Sequence, residues 1–428
     1  MSTEAKPRRC VVALAAATEE ALRARVVEAC DGLGYEQPTG ADGGSSVGDG
    51  NVRIVATGAS AREVGDRLRA FLTVGECDSV RSGAGRSRLA FVFTGQSETR
   101  PGMGAALYET NDVFARAVDN CSAAAEQVLG ASLSTALYVE RDDAVACDAR
   151  LAQPALLALQ CGLMSLWRHW GVAPHATAGH SLGEYAAACS AGVMNDHDAM
   201  ALVARRGQIT HERARPGSMA VVFASENVVT ERLVRHARLT LAALNAPDVV
   251  VAAGPEEDIA DFMTSVKADG ITVKPLRISH AFHSWCVDPI LDPLERAASA
   301  VSFQRASIPY ASALEGRMLS HEERLDARYW RRHAREPVRF FEAVQSLVDA
   351  DCTVCLELGP HATLTSLGER CSGDAARWIP SLTRSGDDHG VLGEAAIALW
   401  LAGIDVRLRS AMRDLGWEWL RPHGAVGN

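Results

Sequence analysis

Gly179-His180-Ser181-Leu182-Gly183 places a serine between two glycines, where the short apolar segment HATA gives way to the Ala-rich helical pattern EYAAACSAG. At a sharp strand-to-helix turn a serine holds its Oγ above the sheet, beside a helix N-terminus that favours developing negative charge. Small neighbours suit such a turn because the serine backbone is strained. The five-residue pattern is common, and a serine hydroxyl is a poor nucleophile until a base stands within hydrogen-bond reach. Among thirteen histidines, His280 and His283 share the apolar run ISHAFHSW. They are either satisfied core imidazoles or the source of that base. Cys352 and Cys355 form a CxxC inside DCTVCLELG, an alternating strand pattern with no second ligand pair at zinc spacing. Strand packing is expected there, and no metal site.

The elements that must position these residues predict more than one compact unit. The chain has 428 residues, of which 47% are apolar and 22% charged, in keeping with an ordinary globular protein. No apolar run is long enough to cross a bilayer, and the N-terminal MSTEAKPRRC leads into charged TEEALRARVVEAC rather than an apolar signal core. A cytoplasmic location without membrane contact is expected. A net charge of −10 argues against a nucleic-acid partner. Eleven cysteines without paired spacing read as reduced and mostly buried.

RRCVVALAA predicts a strand, Thr18 to Leu33 a helix, TGADGGSSVGDG (39–50) a loop, NVRIVAT a strand and AREVGDRLRAFLTV a helix, together a small α/β unit. DSVRSGAGR (78–86) is a polar break, after which RLAFVFTGQ reads as an apolar strand running into a turn. LAQPALLALQCGLMSLWRHW fits a buried helix. Over 217–277 the strand patterns SMAVVFA, LTLAALN, VVVAAG and ITVKPLRI alternate with helical EEDIADFMTSVKADG, predicting an inserted α+β subdomain. CLELGP reads as a strand, and VLGEAAIALWLAGI as an amphipathic helix followed by a polar tail.

Eight collinear segments add a resemblance: FVFTGQ (91–96), QPALLALQ (153–160), GHSLGEY (179–185), ARRG (204–207), LNAP (244–247), SHAFHS (279–284), YWRRHAREPVRF (329–340) and LELGPHATL (356–364). With them the chain resembles the acyltransferase domain of modular type I polyketide synthases, within the malonyl-CoA:acyl carrier protein transacylase family. Residues 9–86 are similar to the linker preceding such domains, and IPSLTRSGDD with the closing helix to the linker that follows. The resemblance implies an α/β fold. An α/β-hydrolase-like large subdomain with a parallel sheet would cover 87–214 and 278–375, and a small ferredoxin-like subdomain 215–277. A small α/β linker domain (1–86) would precede them and a post-acyltransferase linker (376–428) would follow.

By motif, the resemblance implies Ser181 as nucleophile and His283 as general base, oriented by a backbone carbonyl of His333 or a close neighbour. Backbone N–H groups of Gln96 and Leu182 would form the oxyanion hole. The family usually continues GQGxQ; here Gly95-Gln96-Ser97-Glu98-Thr99 puts Ser97 where glycine is usual. Arg206 stands at the carboxylate-binding position, and a bidentate guanidinium contact would select an acyl group with a free carboxylate. His180, Gln153, Asn245, His280 and Phe282 are further expected substrate-site residues. The HAFH segment with bulky Phe282, and Leu182 after the nucleophile, suit malonyl transfer, while Trp285, Cys286 and Val287 depart from the usual residues.

No bound cofactor is implied: acyl-CoA is the substrate, and the acceptor is the phosphopantetheine thiol of a partner acyl carrier protein. A ketosynthase-containing polyketide synthase is a further candidate partner, with Arg331, Arg332, Arg335 and Arg339 as the basic residues for an acidic carrier. The initiating Met favours a discrete protein over an excised domain. Other readings are a different acyl unit or a carrier-bound donor, a thioester hydrolase and a non-catalytic scaffold. A hydrolase of that kind would place an acidic residue between serine and histidine and an HGGG segment upstream, and here FTGQ stands instead.

Overall fold

The computed structural model describes residues 9–31, 33–35, 50, 52–74, 80–82, 87–96, 99–276, 278 and 280–422. Most of the loop expected at 39–50, Ser97 and most of the polar break at 78–86 fall outside the described residues. The chain divides into two units, one drawing on residues up to 87, 170–172 and 389 onward, the other on 88–169 and 173–388.

The first unit is built on the strand Cys10–Ala16, buried along its whole length. It pairs antiparallel with Val52–Gly58, Cys10 opposite Gly58 and Ala16 opposite Val52. The full sheet runs Leu33–Tyr35, Glu418–Pro422, Cys10–Ala16, Val52–Gly58, Val80–Ser82. Helices Glu19–Asp31 and Ala61–Val74 bury Leu22, Val26, Val64, Leu68 and Phe71 in one core with the strands, following the 3.6-residue apolar spacing. The C-terminal region differs from the sequence expectation. Asp388–Leu401 is buried on nearly all sides rather than amphipathic, and the expected polar tail holds a second helix, Leu408–Asp414, and the strand Glu418–Pro422. That strand lies parallel to Cys10–Ala16 in the first sheet, so both ends of the chain build one unit.

The second unit centres on a six-stranded sheet in the order Arg317–Met318, Tyr310–Ser312, Ala176–Gly179, Arg88–Phe93, Cys352–Leu358, Arg377–Pro380. All neighbours are parallel except the first pair. The central strands are continuous apolar runs, as burial on both faces demands. Cys352 and Cys355 are free and buried within their strand. The strand Arg377–Pro380 was not anticipated.

Inserted in this unit is a β-α-β-β-α-β subdomain. Its four antiparallel strands lie in the order Val273–Pro275, Ser218–Val222, Val249–Gly254, Thr240–Ala246, the ferredoxin-like arrangement. Helices Glu226–Leu233 and Glu256–Ala268 close its core with Val229, Ile259, Phe262 and Val266. It is laced to the large subdomain by backbone hydrogen bonds from Leu244 N to Val338 O (2.8 Å) and from Val338 N to Ala242 O (2.9 Å).

Close packing sets one stability test. Gly368 lies inside the helix Thr363–Ser372, where alanine is intrinsically preferred by about 1 kcal/mol. A Cβ there would sit 2.1–2.4 Å from ring carbons of Trp378. Gly368→Ala is expected to destabilise the protein by roughly 1–3 kcal/mol, because overpacking outweighs propensity. Urea unfolding with a lower midpoint at unchanged slope is the expected result.

Candidate active site

Ser181 ends the turn between the strand Ala176–Gly179 and the helix Gly183–Ser190. Its φ of 49° is left-handed, a conformation that costs a β-carbon residue about 1–3 kcal/mol and persists only where its surroundings enforce it. Here the enforcement is contact distance. A Cβ on Gly179 would lie 2.3 Å from Glu184 N, and one on Gly183 would lie 2.2 Å from Phe93 O. The helix therefore starts against the strand backbone, which only glycine permits at both positions.

Ser181 Oγ lies 2.8 Å from His283 Nε2, and His283 Nδ1 lies 2.8 Å from the carbonyl oxygen of Glu336. With Nδ1–H donating to that carbonyl, Nε2 is the acceptor that faces the serine hydroxyl. The carbonyl at hydrogen-bond distance is that of Glu336, just past the helix Ala327–Arg335 and three residues beyond His333. His283 is itself left-handed (φ 58°). Burial lowers its pKa from the usual 6.5 to about 3, and the Arg206 charge pushes the same way.

Arg206, on the helix Asp196–Arg213, is 2% exposed. Its Nη1 donates to Gln153 Oε1 at 2.6 Å, its Nε has no partner, and among the described residues no carboxylate pairs with it. The guanidinium carbon lies 5.6 Å from the Phe282 ring centre and 6.0 Å from that of Tyr185. Burial lowers the pKa of this arginine. It is a fixed cation held by a neutral amide.

The other expected residues divide. His180 Nε2 and Asn245 Oδ1 lie 2.7 Å apart, tying the turn to the inserted subdomain. Leu182 is buried at the first turn of the helix. Gln96 sits beyond Gly95, whose Cβ position lies 3.5 Å from Ser181 Cβ, and its carbonyl accepts from Thr99 N and Thr99 Oγ1. Phe282 is buried beside Arg206. His280 has its ring 5.8 Å from that of Phe282, it bridges to Pro216, and its electrostatic neighbours are His211 and Asp148. Cys286 and Val287 are fully buried, while the Trp285 indole donates to Arg238 O.

Three features escaped the sequence. The His333 side chain reaches the Ser181 backbone carbonyl, Nε2 to O, at 3.0 Å. Buried Glu184 accepts from Tyr329 Oη (2.6 Å) and Ala313 N (3.3 Å), and burial raises its pKa to about 7. The basic cluster is already paired. Arg331 contacts Asp292 and Glu295, Arg332 contacts Glu315 and Glu336, Arg335 contacts Asp288, and Arg339 contacts Glu342. Each of the four arginine side chains stays partly exposed within these pairs. Among the described residues no group of His, Cys, Asp and Glu could hold a metal ion, and no helix is long and apolar enough to cross a membrane.

A parallel α/β sheet carrying a serine–histidine pair, with a ferredoxin-like insertion, matches known proteins. The family model described as acyl transferase domain covers residues 90–405. The polyketide synthase GfsA of Streptomyces halstedii is 38% identical over 83% of this chain, which spans 5% of that protein. The spectinabilin polyketide synthase system protein NorB of Streptomyces orinoci is 35% identical over 68% of the chain, which spans 14% of it. Among solved structures, the acyltransferase domain from module 8 of the salinomycin polyketide synthase superposes with a TM-score of 0.82 at 27% identity, covering 94% of this chain and 98% of that one. The acyl transferase domain of SpnD in complex with 2-(pent-4-yn-1-yl)malonyl gives 0.80 at 29% identity, covering 95% and 98%. The chain belongs to the acyl transferase family, and its relatives are polyketide synthases.

Glu184 offers a test of the electrostatics. Its carboxyl has a higher pKa folded (about 7) than its ordinary 4.5, so its contribution to stability is full below about pH 4.5 and is lost as pH rises towards 7. Glu184→Gln cannot ionise. The stability lost on this substitution is therefore expected to be smaller at about pH 8 than at about pH 5, measured by urea unfolding at each pH.

Proposed function

We propose that the chain transfers a malonyl group from coenzyme A to the phosphopantetheine thiol of an acyl carrier protein, through an ester on Ser181. The observation that carries the reading is Arg206, a buried cation that donates to Gln153 and has no carboxylate partner among the described residues, placed beside the Ser181–His283 pair. A buried charge of this kind costs several kcal/mol unless an anion joins it. A substrate carboxylate supplies that anion and forms charge-assisted hydrogen bonds with the guanidinium. Phe282 beside the guanidinium narrows the space around the acyl α-carbon, which favours malonyl over substituted malonyl groups. The ligand named for the SpnD structure, 2-(pent-4-yn-1-yl)malonyl, is a substituted malonyl, so it accords with a carboxylate-bearing acyl group and not with the narrower choice of malonyl, which rests on Phe282.

In the reaction His283 Nε2 takes the Ser181 hydroxyl proton as Oγ attacks the thioester carbonyl. The oxyanion accepts from the N–H groups of Gln96 and Leu182. Collapse breaks the C–S bond, and the proton on His283 passes to the departing thiolate. The carrier thiol then gives its proton to His283 and attacks the ester, and Ser181 recovers a proton as it leaves. The chemistry needs no carboxylate on His283, because the Glu336 carbonyl fixes the tautomer. An isolated imidazolium in this site is costly, so His283 holds the proton only while the oxyanion faces it.

Two outcomes check the reading. Arg206→Ala is expected to lower kcat/KM for malonyl-CoA about a hundredfold or more, the scale of a lost buried ion pair, and to change turnover of acetyl-CoA far less. Equal losses for both donors would remove the carboxylate role. The rate of acylation at saturating donor is expected to stay level from about pH 8 down to about pH 5. An unshifted imidazole would instead halve it near its ordinary 6.5.

A further inference from the structure

We propose that His333 is a positioning residue for the oxyanion hole: by donating from Nε2 to the Ser181 carbonyl it fixes and polarises the peptide whose N–H is that of Leu182. The proposal rests on the Ser181 acyl-enzyme reading and extends it to a residue outside the reacting groups.

The argument is the geometry of one peptide unit. Ser181 C=O and Leu182 N–H belong to the same planar trans amide, so turning one turns the other. The carbonyl oxygen takes two donors, Glu184 N at 2.9 Å in the first helical turn and His333 Nε2 at 3.0 Å. Both lone pairs are thereby used, and the plane has no freedom left to rotate. Hydrogen bonding at the oxygen also draws electron density from the nitrogen, making the Leu182 N–H a stronger donor to an oxyanion. Because Ser181 is left-handed, the same peptide is the strained one, and a second tether on it has something to hold.

The imidazole is built for that single contact. It is 3% exposed, and Nδ1 is buried without a partner. Its ring is clamped parallel to Tyr329 and edge-on to Tyr185 and Trp330. The His283 ring stands edge-on to it at 6.2 Å. Burial holds the His333 pKa well below the ordinary 6.5, and the Arg206 cation pushes the same way, so His333 is neutral. A neutral ring with a bare Nδ1 has one N–H to give, and it goes to Ser181 O. A structural histidine would satisfy both nitrogens; this one leaves a buried nitrogen unpaired to place the other.

The test compares His333→Gln, which keeps an N–H donor, with His333→Leu, which does not. Acylation at saturating malonyl-CoA is expected to fall about tenfold or more in His333→Leu with KM little changed, less than the hundredfold or more that follows loss of an oxyanion donor itself. His333→Gln is expected to recover most of that rate. The infrared carbonyl band of the isotope-labelled acyl-Ser181 is expected to move to higher frequency in His333→Leu and to return in His333→Gln. Full rates and an unmoved band in His333→Leu overturn the proposal, as does a folded His333→Gln as slow as His333→Leu. Should His333→Leu not fold, nitrogen-labelled histidine NMR of the unmutated protein decides, with His333→Gln assigning the signal. A fixed Nε2–H tautomer supports the proposal, and an Nδ1–H tautomer overturns it. A wild-type protein that forms no Ser181 adduct overturns the acyl-enzyme reading and this proposal together.

Discussion

The second unit depends on the close approach of two backbones at residues 179–184. The helix Gly183–Ser190 begins so near the strand Arg88–Phe93 that a single methyl on Gly183 would enter the Phe93 carbonyl. That approach forces Ser181 into a left-handed conformation and lifts its Oγ to the end of the sheet. The strain is held by Glu184 N on the Ser181 carbonyl and by the buried contact of Glu184 with Tyr329 and Ala313. Buried groups on three other elements then converge on the turn: His283, Arg206 and His333. Each lies where its charged form is costly, so the site stores its electrostatic readiness in neutral imidazoles and one guanidinium that has no carboxylate partner among the described residues.

The inserted subdomain contributes to the same preorganisation. Its strand Thr240–Ala246 holds Asn245 against His180, directly before the serine, and its Leu244 and Ala242 pair with Val338, two residues past the Glu336 carbonyl that orients His283. Ser181 and His283 are thus braced from one strand. In the proposed reaction, groups set this way do not have to reorganise, which is the largest saving available to an acyl transfer site.

How much was legible in the sequence follows from the range of the interactions involved. AREVGDRLRAFLTV carries its apolar spacing locally, and the helix runs over those residues, Ala61–Val74. The four strands of the inserted subdomain were legible for the same reason. Glu418–Pro422 was not, because its partner Cys10–Ala16 lies at the other end of the chain and five residues of mixed polarity carry no local strand signal. At the site, Ser181, His283 and Arg206 were named from residue type and motif, and the structure has Ser181 Oγ 2.8 Å from His283 Nε2 and Arg206 buried. The orienting carbonyl was legible only as His333 or a close neighbour, since which one it is, Glu336, depends on where the helix Ala327–Arg335 ends rather than on any side chain. The ion pairs of Arg331, Arg332, Arg335 and Arg339 were not legible because most of their acidic partners come from other elements, including Asp288, Asp292, Glu295 and Glu315.

The central claim is a covalent malonyl ester on Ser181 that is competent for transfer. Intact-protein mass spectrometry after mixing with malonyl-CoA, before and after adding a phosphopantetheine-bearing acyl carrier protein, tests it most directly. The account predicts one malonyl group on the wild type and none on Ser181→Ala, and its movement from the wild type to the carrier. An adduct that persists on Ser181→Ala, or one that is lost without appearing on the carrier, would contradict it.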